Sequence, residues 1–485
     1  MTQTILLACA FFVVFASGAI FFPVGSGPDE AAHYVYAAAV VRGQAAMLEP
    51  TLPARIANIH QFATCIAFQP DITAACQGPL RLPAGLDDVR TQTNAGLYNP
   101  VFYAWTGLGS LILPTEYGLY VSRLLSALVT AIALGWSTSL LLRTTSSGWV
   151  RAGLALALTP MALYCGMVLN PSAWEIASMI GVVAAAHAVL RRRLFTGWSE
   201  GHSLLLCSGV MLIISRGLSP LLLVLAMGAL LVSRRMRDLR DLIASRSAWL
   251  IALVFALFAA ASAGWVLAVG TNYVGVTRPA SLRDGIAGIS VFYANFQDQV
   301  TQMYGSLGWL DLAAPDVLSI AWIFLLGFFI MASFAVSSGS RRLGVTVSFI
   351  VAVMLPGILA GLQWSGMGWQ GRYSLPLVAA CILISGLGFD ESFDISREAT
   401  SSRLASLARC VLPGFFAVGA LATVLQVAHR YTVGVSQPWL AVPSWEPPVD
   451  GTVLAVLLGA GIVVLVAAMI APARGHITGN PTNVT

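Results

Sequence analysis

Two adjacent carboxylates, Asp29 and Glu30, precede an imidazole at His33 in the stretch GSGPDEAAHYVYA, directly after an unbroken apolar run that ends at Val24. Within one turn such groups supply a base, a second acid and a tunable partner for proton transfer. On a helix that opens at Pro28, Asp29 and His33 stand at i, i+4 and Glu30 and His33 at i, i+3, so both pairs meet on one face. A structural use fits the same residues. Proline suits the first helical position, Ser26 or Gly27 the cap, and acids in the first turn complement the helix dipole by about 0.3–1 kcal/mol each. Ionisable groups at the mouth of an apolar bundle are costly unless they face a cavity, which keeps chemistry in contention.

The cations that such acids would work with are arginines. Arg372 in WQGRY stands in a stretch otherwise free of charge, Arg123 in YVSRLLS opens an apolar run, and Arg216 in ISRGLSP sits between two short ones. A guanidinium is the natural group for a phosphate, and equally for pairing with Asp29, Glu30 or Glu175. Beside Arg372, the residues Trp369, Gln370 and Tyr373 can shape a sugar site or simply belong to an interfacial aromatic belt. Glu175 in NPSAWEI needs a partner or a water-filled cavity, and Asn170 with Pro171 forms the turn before it.

The elements that must carry these groups are apolar helices. Of 485 residues 57% are hydrophobic and 10% charged, against about a quarter charged in a soluble domain. All 26 basic residues are arginine. Runs long enough to span fall at 5–24, 118–142, 151–169, 172–190, 202–216, 218–233, 248–269, 317–336, 343–362, 373–389, 408–427 and 452–471. These twelve predict an all-α polytopic membrane domain over 1–485, whose first run is a retained anchor and not a cleaved signal. Arginines in alternate short loops place both termini on the cytoplasmic side of a bacterial inner membrane. The outer face then holds loops 25–117 and 270–316, with 363–372 and 428–451 smaller. Segment 99–114 is apolar but short and bounded by prolines, and reads as one interfacial helix with Tyr98, Tyr103 and Trp105 at headgroup level.

Five of the seven cysteines lie in apolar runs; Cys65 and Cys76 share a polar outer loop. If that loop faces an oxidising compartment, a disulfide joins them. No GxxxxGK[ST] occurs, which speaks against an ATP-driven pump, and no two halves look alike in the way many transporters do. Nothing points to nucleic acid, and nothing speaks to oligomeric state.

The pieces PDEAAHYVYA (28–37), YNPVFYAW (98–105), NPSAWEIA (170–177), GSLGWLD (305–311) and QGRYSLPL (370–377) together resemble the GT-C glycosyltransferases. They are more similar still to a large family of bacterial multi-pass membrane proteins of unassigned function near that superfamily. The resemblance implies about 12 transmembrane helices with interfacial helices in the first outer loop. It implies an inverting transfer of sugar from a polyprenyl-phosphate donor to a cell-envelope glycan or glycolipid, at the outer face of the bilayer. Asp29, or Glu30, matches the general base, with His33 beside it. Arg372, Arg123 and Arg216 would hold the donor phosphate, and Tyr373, Gln370, Trp369, Tyr98, Asn99, Asn170 and Glu175 would line the substrate site. Some members of the superfamily use a divalent cation, Mg or Mn, and the residues alone leave that open. A transporter or flippase of envelope lipids, and a non-catalytic scaffold of an envelope-assembly complex, are the rival readings.

Overall fold

A computed structural model describes residues 1–85, 87–145, 148–191, 197–270, 281–362, 369–396 and 399–471. Parts of two expected outer loops, 271–280 and 363–368, lie outside the described residues.

Every one of the apolar runs is helical. Among the described residues nine single helices are long and apolar enough to cross a membrane. A further pair, Gly148–Ala157 and Pro160–Met167, is long and apolar enough when taken together and is bent by 58° between its two halves. Its break has a local cause: Pro160 lacks the N–H that would continue the first helix, and Thr159 caps the second by accepting from the Ala162 N–H. Two shorter apolar helices, Glu200–Ser215 and Ser219–Val232, complete the set. The molecule is therefore an all-α, multi-pass membrane protein, decorated by two small antiparallel ribbons, Thr51–Pro53 with Asp88–Arg90 and Ser306–Leu307 with Leu312–Ala313.

Burial sorts the spans. Over its most apolar window Ser172–Leu190 is 100% buried and Gly371–Asp390 is 94% buried, whereas Arg246–Val269 is only 11% buried. The first two form the axis of the bundle and open with Glu175 and Arg372 at the same end. The outer helices show Leu253, Leu257, Phe324 and Phe328, side chains that match hydrocarbon and need no partner in the protein.

The first span, Thr2–Phe21, lies along the helix Gly118–Thr144. A Cβ added at Gly135 would stand 2.4 Å from the Ala8 nitrogen, so backbones meet there as small residues allow in membranes. This contact matters for the site, because Arg123 rides on the far end of the same helix.

The long loop after the first span folds into a second core. Its helix Glu30–Val40 is buried over most of its length and packs with Leu52, Ile56, Phe102, Tyr103 and Trp174. The expected single interfacial helix over 99–114 is instead two short ones, Pro100–Thr106 and Leu108–Ile112. Gly107 stands between them, and the close packing there requires a glycine, since a Cβ would lie 2.2 Å from the Ala37 carbonyl oxygen. Tyr103 is fully buried, and the Trp105 indole donates to the Leu125 carbonyl at 2.8 Å. The 282–305 part of the other large loop forms the helices Leu282–Ala294 and Phe296–Gly305.

Replacing Gly135 by valine should overpack the first-span contact and cost about 1–3 kcal/mol. A thermal-shift measurement in detergent should show a lower midpoint for Gly135→Val; an unchanged curve would mean that this approach does not hold the bundle together.

Candidate functional site

The turn between the first span and Glu30 is held from many directions. Its Val24 carbonyl accepts from Gln77 Nε2 at 2.7 Å and its Gly25 carbonyl from the Trp309 indole at 3.0 Å. The Ser26 carbonyl accepts from two phenols, Tyr164 and Tyr431, each at 2.9 Å. Gly25 and Asp29 both have positive φ, 71° and 62°. For a non-glycine residue the left-handed region is uncommon, though aspartate tolerates it better than most.

That conformation overturns the expected opening of the helix. The helix starts at Glu30, not Pro28, and Asp29 precedes it as a left-handed cap whose side chain makes no cap hydrogen bond. Asp29 and His33 therefore do not meet on one helical face, and the three ionisable side chains diverge to three different partners.

Glu30 turns inward and is wholly buried with Arg123, also at 0% exposure. Its Oε1 accepts from Arg123 Nε at 2.7 Å and from the Leu169 N–H at 2.7 Å. Its Oε2 accepts from Arg123 Nη2 at 2.6 Å and from the Gly27 N–H at 3.2 Å. The remaining arginine protons go to the Ala19, Phe22 and Pro23 carbonyls at 2.8, 2.6 and 2.7 Å, with Ser26 Oγ at 3.2 Å. A carboxylate has about four lone-pair sites and a guanidinium five N–H donors. Both inventories are used up, and neither group has a face left for a ligand.

Asp29 is the opposite case. Its side chain is 51% exposed, and its Oδ2 accepts from Nη2 of Arg372, which is itself 2% exposed. Arg372 Nη2 also reaches the Tyr373 hydroxyl at 3.3 Å, while its Nε is buried with no hydrogen-bond partner. Buried unpaired donors on a cation are costly, and here they stand beside the one accessible carboxylate of the turn. Arg216 comes up on the far side of the Tyr373 ring. The two guanidinium carbons lie 4.8 Å (Arg216) and 5.2 Å (Arg372) from its centroid, in cation–π range. Arg216 is fixed by Glu175 Oε2 at 3.1 Å and by donation to Asn170 Oδ1 at 3.2 Å; Ser219 donates to Glu175 Oε1 at 2.6 Å.

His33 serves the wall of this site. Its Nδ1 shares a hydrogen bond with the Tyr103 hydroxyl at 2.9 Å, and the rings of Tyr98 and Tyr103 lie 6.0 and 5.9 Å from its own. Burial above all, then the charges of Arg216 and Arg372, hold its pKa well below the usual value, so the imidazole is neutral. Tyr98 also faces Arg216, at 5.8 Å.

Other expected site residues have local duties. Asn99 caps its helix by accepting from the Val101 N–H at 3.1 Å, and the Trp369 indole donates to Ser374 Oγ at 2.9 Å. The amide oxygen of Gln370 is buried with no partner. Cys65 and Cys76 are joined as a disulfide. Among the described residues no three His, Cys, Asp or Glu side chains gather as metal ligands; with Glu30 and Glu175 engaged by arginines, the donor set here does not fit a divalent cation. Sequence reasoning gave no role to Tyr164 and Tyr431, which hold the turn together with Trp309, and did not foresee the bond between Tyr103 and His33. Of the three that hold the turn, only Trp309 carried a usable signal, its place in GSLGWLD.

A family model described as "Predicted membrane protein (DUF2142)" matches residues 11–383, and the chain belongs to that family. No curated protein matches it. Among solved structures it is similar to ArnT from Cupriavidus metallidurans bound to undecaprenyl phosphate, with 16% identity over 96% of this chain and 77% of that one and a TM-score of 0.44. It is also similar to apo ArnT from the same organism, with 15% identity over 97% and 77% and a TM-score of 0.44.

Breaking one half of a buried pair leaves the other half charged and unsatisfied, at roughly 3–5 kcal/mol. Glu30→Gln and Arg123→Met should each lose most of the folded, monodisperse yield from membranes; normal yield and melting from both would remove the pair from its structural role. His33 gives a pH signature. Its folded pKa lies below the unfolded value of about 6.5, so the unfolded chain takes up the proton first as pH falls. Its contribution to stability is present above about pH 6.5 and is lost as pH falls toward the folded pKa. Melting midpoints at about pH 7.5 and pH 5.5 should therefore separate more in the wild type than in His33→Gln, and equal separation would assign the effect elsewhere.

Proposed function

We propose that this member of the DUF2142 family is an inverting glycosyltransferase that moves a sugar from a polyprenyl phosphate to a hydroxyl of a cell-envelope glycan or glycolipid. One observation carries the reading: an exposed carboxylate, Asp29, sits against a buried arginine with unused donors, Arg372, and a second arginine, Arg216, lies across the same tyrosine ring. Sugar transfer from a lipid phosphate sets two tasks, removal of the acceptor proton and neutralisation of the departing phosphate, and these groups match them one to one.

In this reading the acceptor oxygen attacks the anomeric carbon while Asp29 takes its proton. The bond from that carbon to the phosphate oxygen breaks, its electron pair leaves with the polyprenyl phosphate, and the configuration inverts. Arg372 receives the phosphate through its free Nε–H and Nη donors, with Arg216 and the Tyr373 hydroxyl beside it. Glu30 and Arg123 take no part in the chemistry; they fix the turn that presents Asp29. His33, neutral and bonded to Tyr103, holds the aromatic wall in place and does not exchange the proton. The end of the bundle that carries the site is the outer one, because Arg143, Arg341, Arg342, Arg403 and Arg409 belong to the opposite end, as cytoplasmic arginines do. The bilayer supplies the donor laterally, and both termini lie in the cytoplasm.

The test is sugar transfer by purified protein in nanodiscs, with a panel of polyprenyl-phosphate sugars, envelope glycan fragments as acceptors, and EDTA in a parallel series. Asp29→Asn should lower kcat by about 10²–10⁴. Arg372→Lys, which keeps charge but loses the planar fork, should raise the donor KM and lower kcat, and EDTA should change nothing. A well-folded wild type that binds the lipid yet transfers from no donor would defeat the proposal and favour transport.

A further inference from the structure

Phe68 is a bulky residue in an unfavourable place twice over. Its side chain is 70% exposed and its backbone lies in the left-handed region at φ 57°, where a large side chain is an outlier that persists only if the surroundings impose it. The surroundings do impose it. The Cys65–Cys76 disulfide closes this loop. The fully buried Arg430 threads it, donating to the Ile66 carbonyl at 2.6 Å and to the Gln69 and Ile72 carbonyls at 3.3 Å each. The same guanidinium donates to Asp311 Oδ2 at 3.1 Å, and Asp311 Oδ1 accepts from the Trp309 N–H at 3.0 Å. One buried arginine thus ties two separate loops together and sets the rings of Phe68 and Trp309 edge to face, with centroids 5.7 Å apart. Trp309 in turn donates its indole N–H to the Gly25 carbonyl, in the turn that ends at Asp29.

We propose that Phe68 and Trp309 form the acceptor subsite, a platform on which a pyranose ring stacks while its hydroxyl is presented to Asp29. The proposal rests on the transferase reading above and adds the residues that would hold the acceptor. A pyranose offers an apolar C–H face to an aromatic ring and points its hydroxyls outward to water. The neighbours of Phe68 include polar groups for the hydroxyls of that occupant: Gln69 and Asp71 are both exposed, next to the exposed apolar side chain of Ile72. The platform is continuous with the catalytic turn through one indole. Arg430 is a positioning residue in this arrangement, since it acts only through the two loops.

Saturation-transfer NMR on the full-length protein in nanodiscs tests this without requiring turnover. The probes are the methyl glycosides of glucose, galactose, mannose, N-acetylglucosamine and rhamnose, each at millimolar concentration. At least one should receive saturation from the wild type, with its C–H face protons strongest. Phe68→Ala should weaken that binding about tenfold, the order of a lost ring contact, and Phe68→Tyr should restore it. Thermal melting of Phe68→Ala should match or exceed the wild type, since an exposed strained ring is removed. In the transfer assay the same variant should raise acceptor KM with donor KM unchanged. Equal saturation of wild type and Phe68→Ala, or none from the wild type with any probe, would overturn the subsite. So would quenching of the added fluorescence of Phe68→Trp by brominated phosphatidylcholine, which would put this ring in the bilayer. Probe binding that depends on Phe68, in a protein that transfers no sugar, would instead keep the subsite and reject the transferase reading.

Discussion

Everything at the working end of this molecule depends on one buried ion pair. Glu30 and Arg123 close the end of the first span onto the helix Gly118–Thr144, and every donor and acceptor they own is spent in doing so. In a low-dielectric interior a guanidinium with an unused proton, or a carboxylate with an unused lone pair, costs more than their mutual attraction returns. The geometry avoids that cost by routing the surplus arginine donors to the carbonyls at the frayed end of the first helix. Those carbonyls would otherwise be among the orphan groups that every helix end leaves. The pair is therefore also a helix cap, and it fixes where the chain turns.

The exposure of the partner then separates structural charges from working ones. Arg123 has nothing left to give. Arg430 donates through its terminal nitrogens to loop carbonyls and Asp311, and its Nε, like that of Arg372, has no partner. Arg372, equally buried, differs in that the carboxylate it holds, Asp29, is half exposed, whereas Glu30 and Asp311 are buried. The carboxylates divide the same way: Glu30 and Glu175 are engaged and enclosed, and Asp29 is open on one side. A left-handed backbone at Asp29 produces that difference, because it turns this side chain away from the axis of the helix that buries Glu30.

The aromatic residues supply the rigidity that such a site needs. Tyr164 and Tyr431 both pin the Ser26 carbonyl from helices far apart in the chain, and Tyr98 and Tyr103 cluster with His33. A tyrosine brings a large apolar body and one hydroxyl, so it can be buried in a bundle and still satisfy a backbone carbonyl of an irregular turn. Irregular backbone at the mouth of a membrane protein is tolerated where the protein itself supplies such partners, and here it does.

The sequence by itself determined the class and the plan. Apolar runs of spanning length, scarce charge and arginines gathered in alternate short loops dictate a helical membrane bundle, because backbone groups in hydrocarbon must be paired within each segment. It also marked the residues around which the site forms, since ionisable groups are rare enough in such a chain to stand out. It left open which carboxylate is free, and it put Asp29 and His33 on one helical face where they do not meet. It also read 99–114 as one helix, where the chain forms two short ones on either side of Gly107. Those matters were decided only by the tertiary structure. The partner of a charge is chosen by residues distant in the chain, Arg123 for Glu30 and Arg372 for Asp29. The turn that leads to Asp29 and its positive φ is held by hydrogen bonds from Trp309, Tyr164 and Tyr431 that no local pattern encodes.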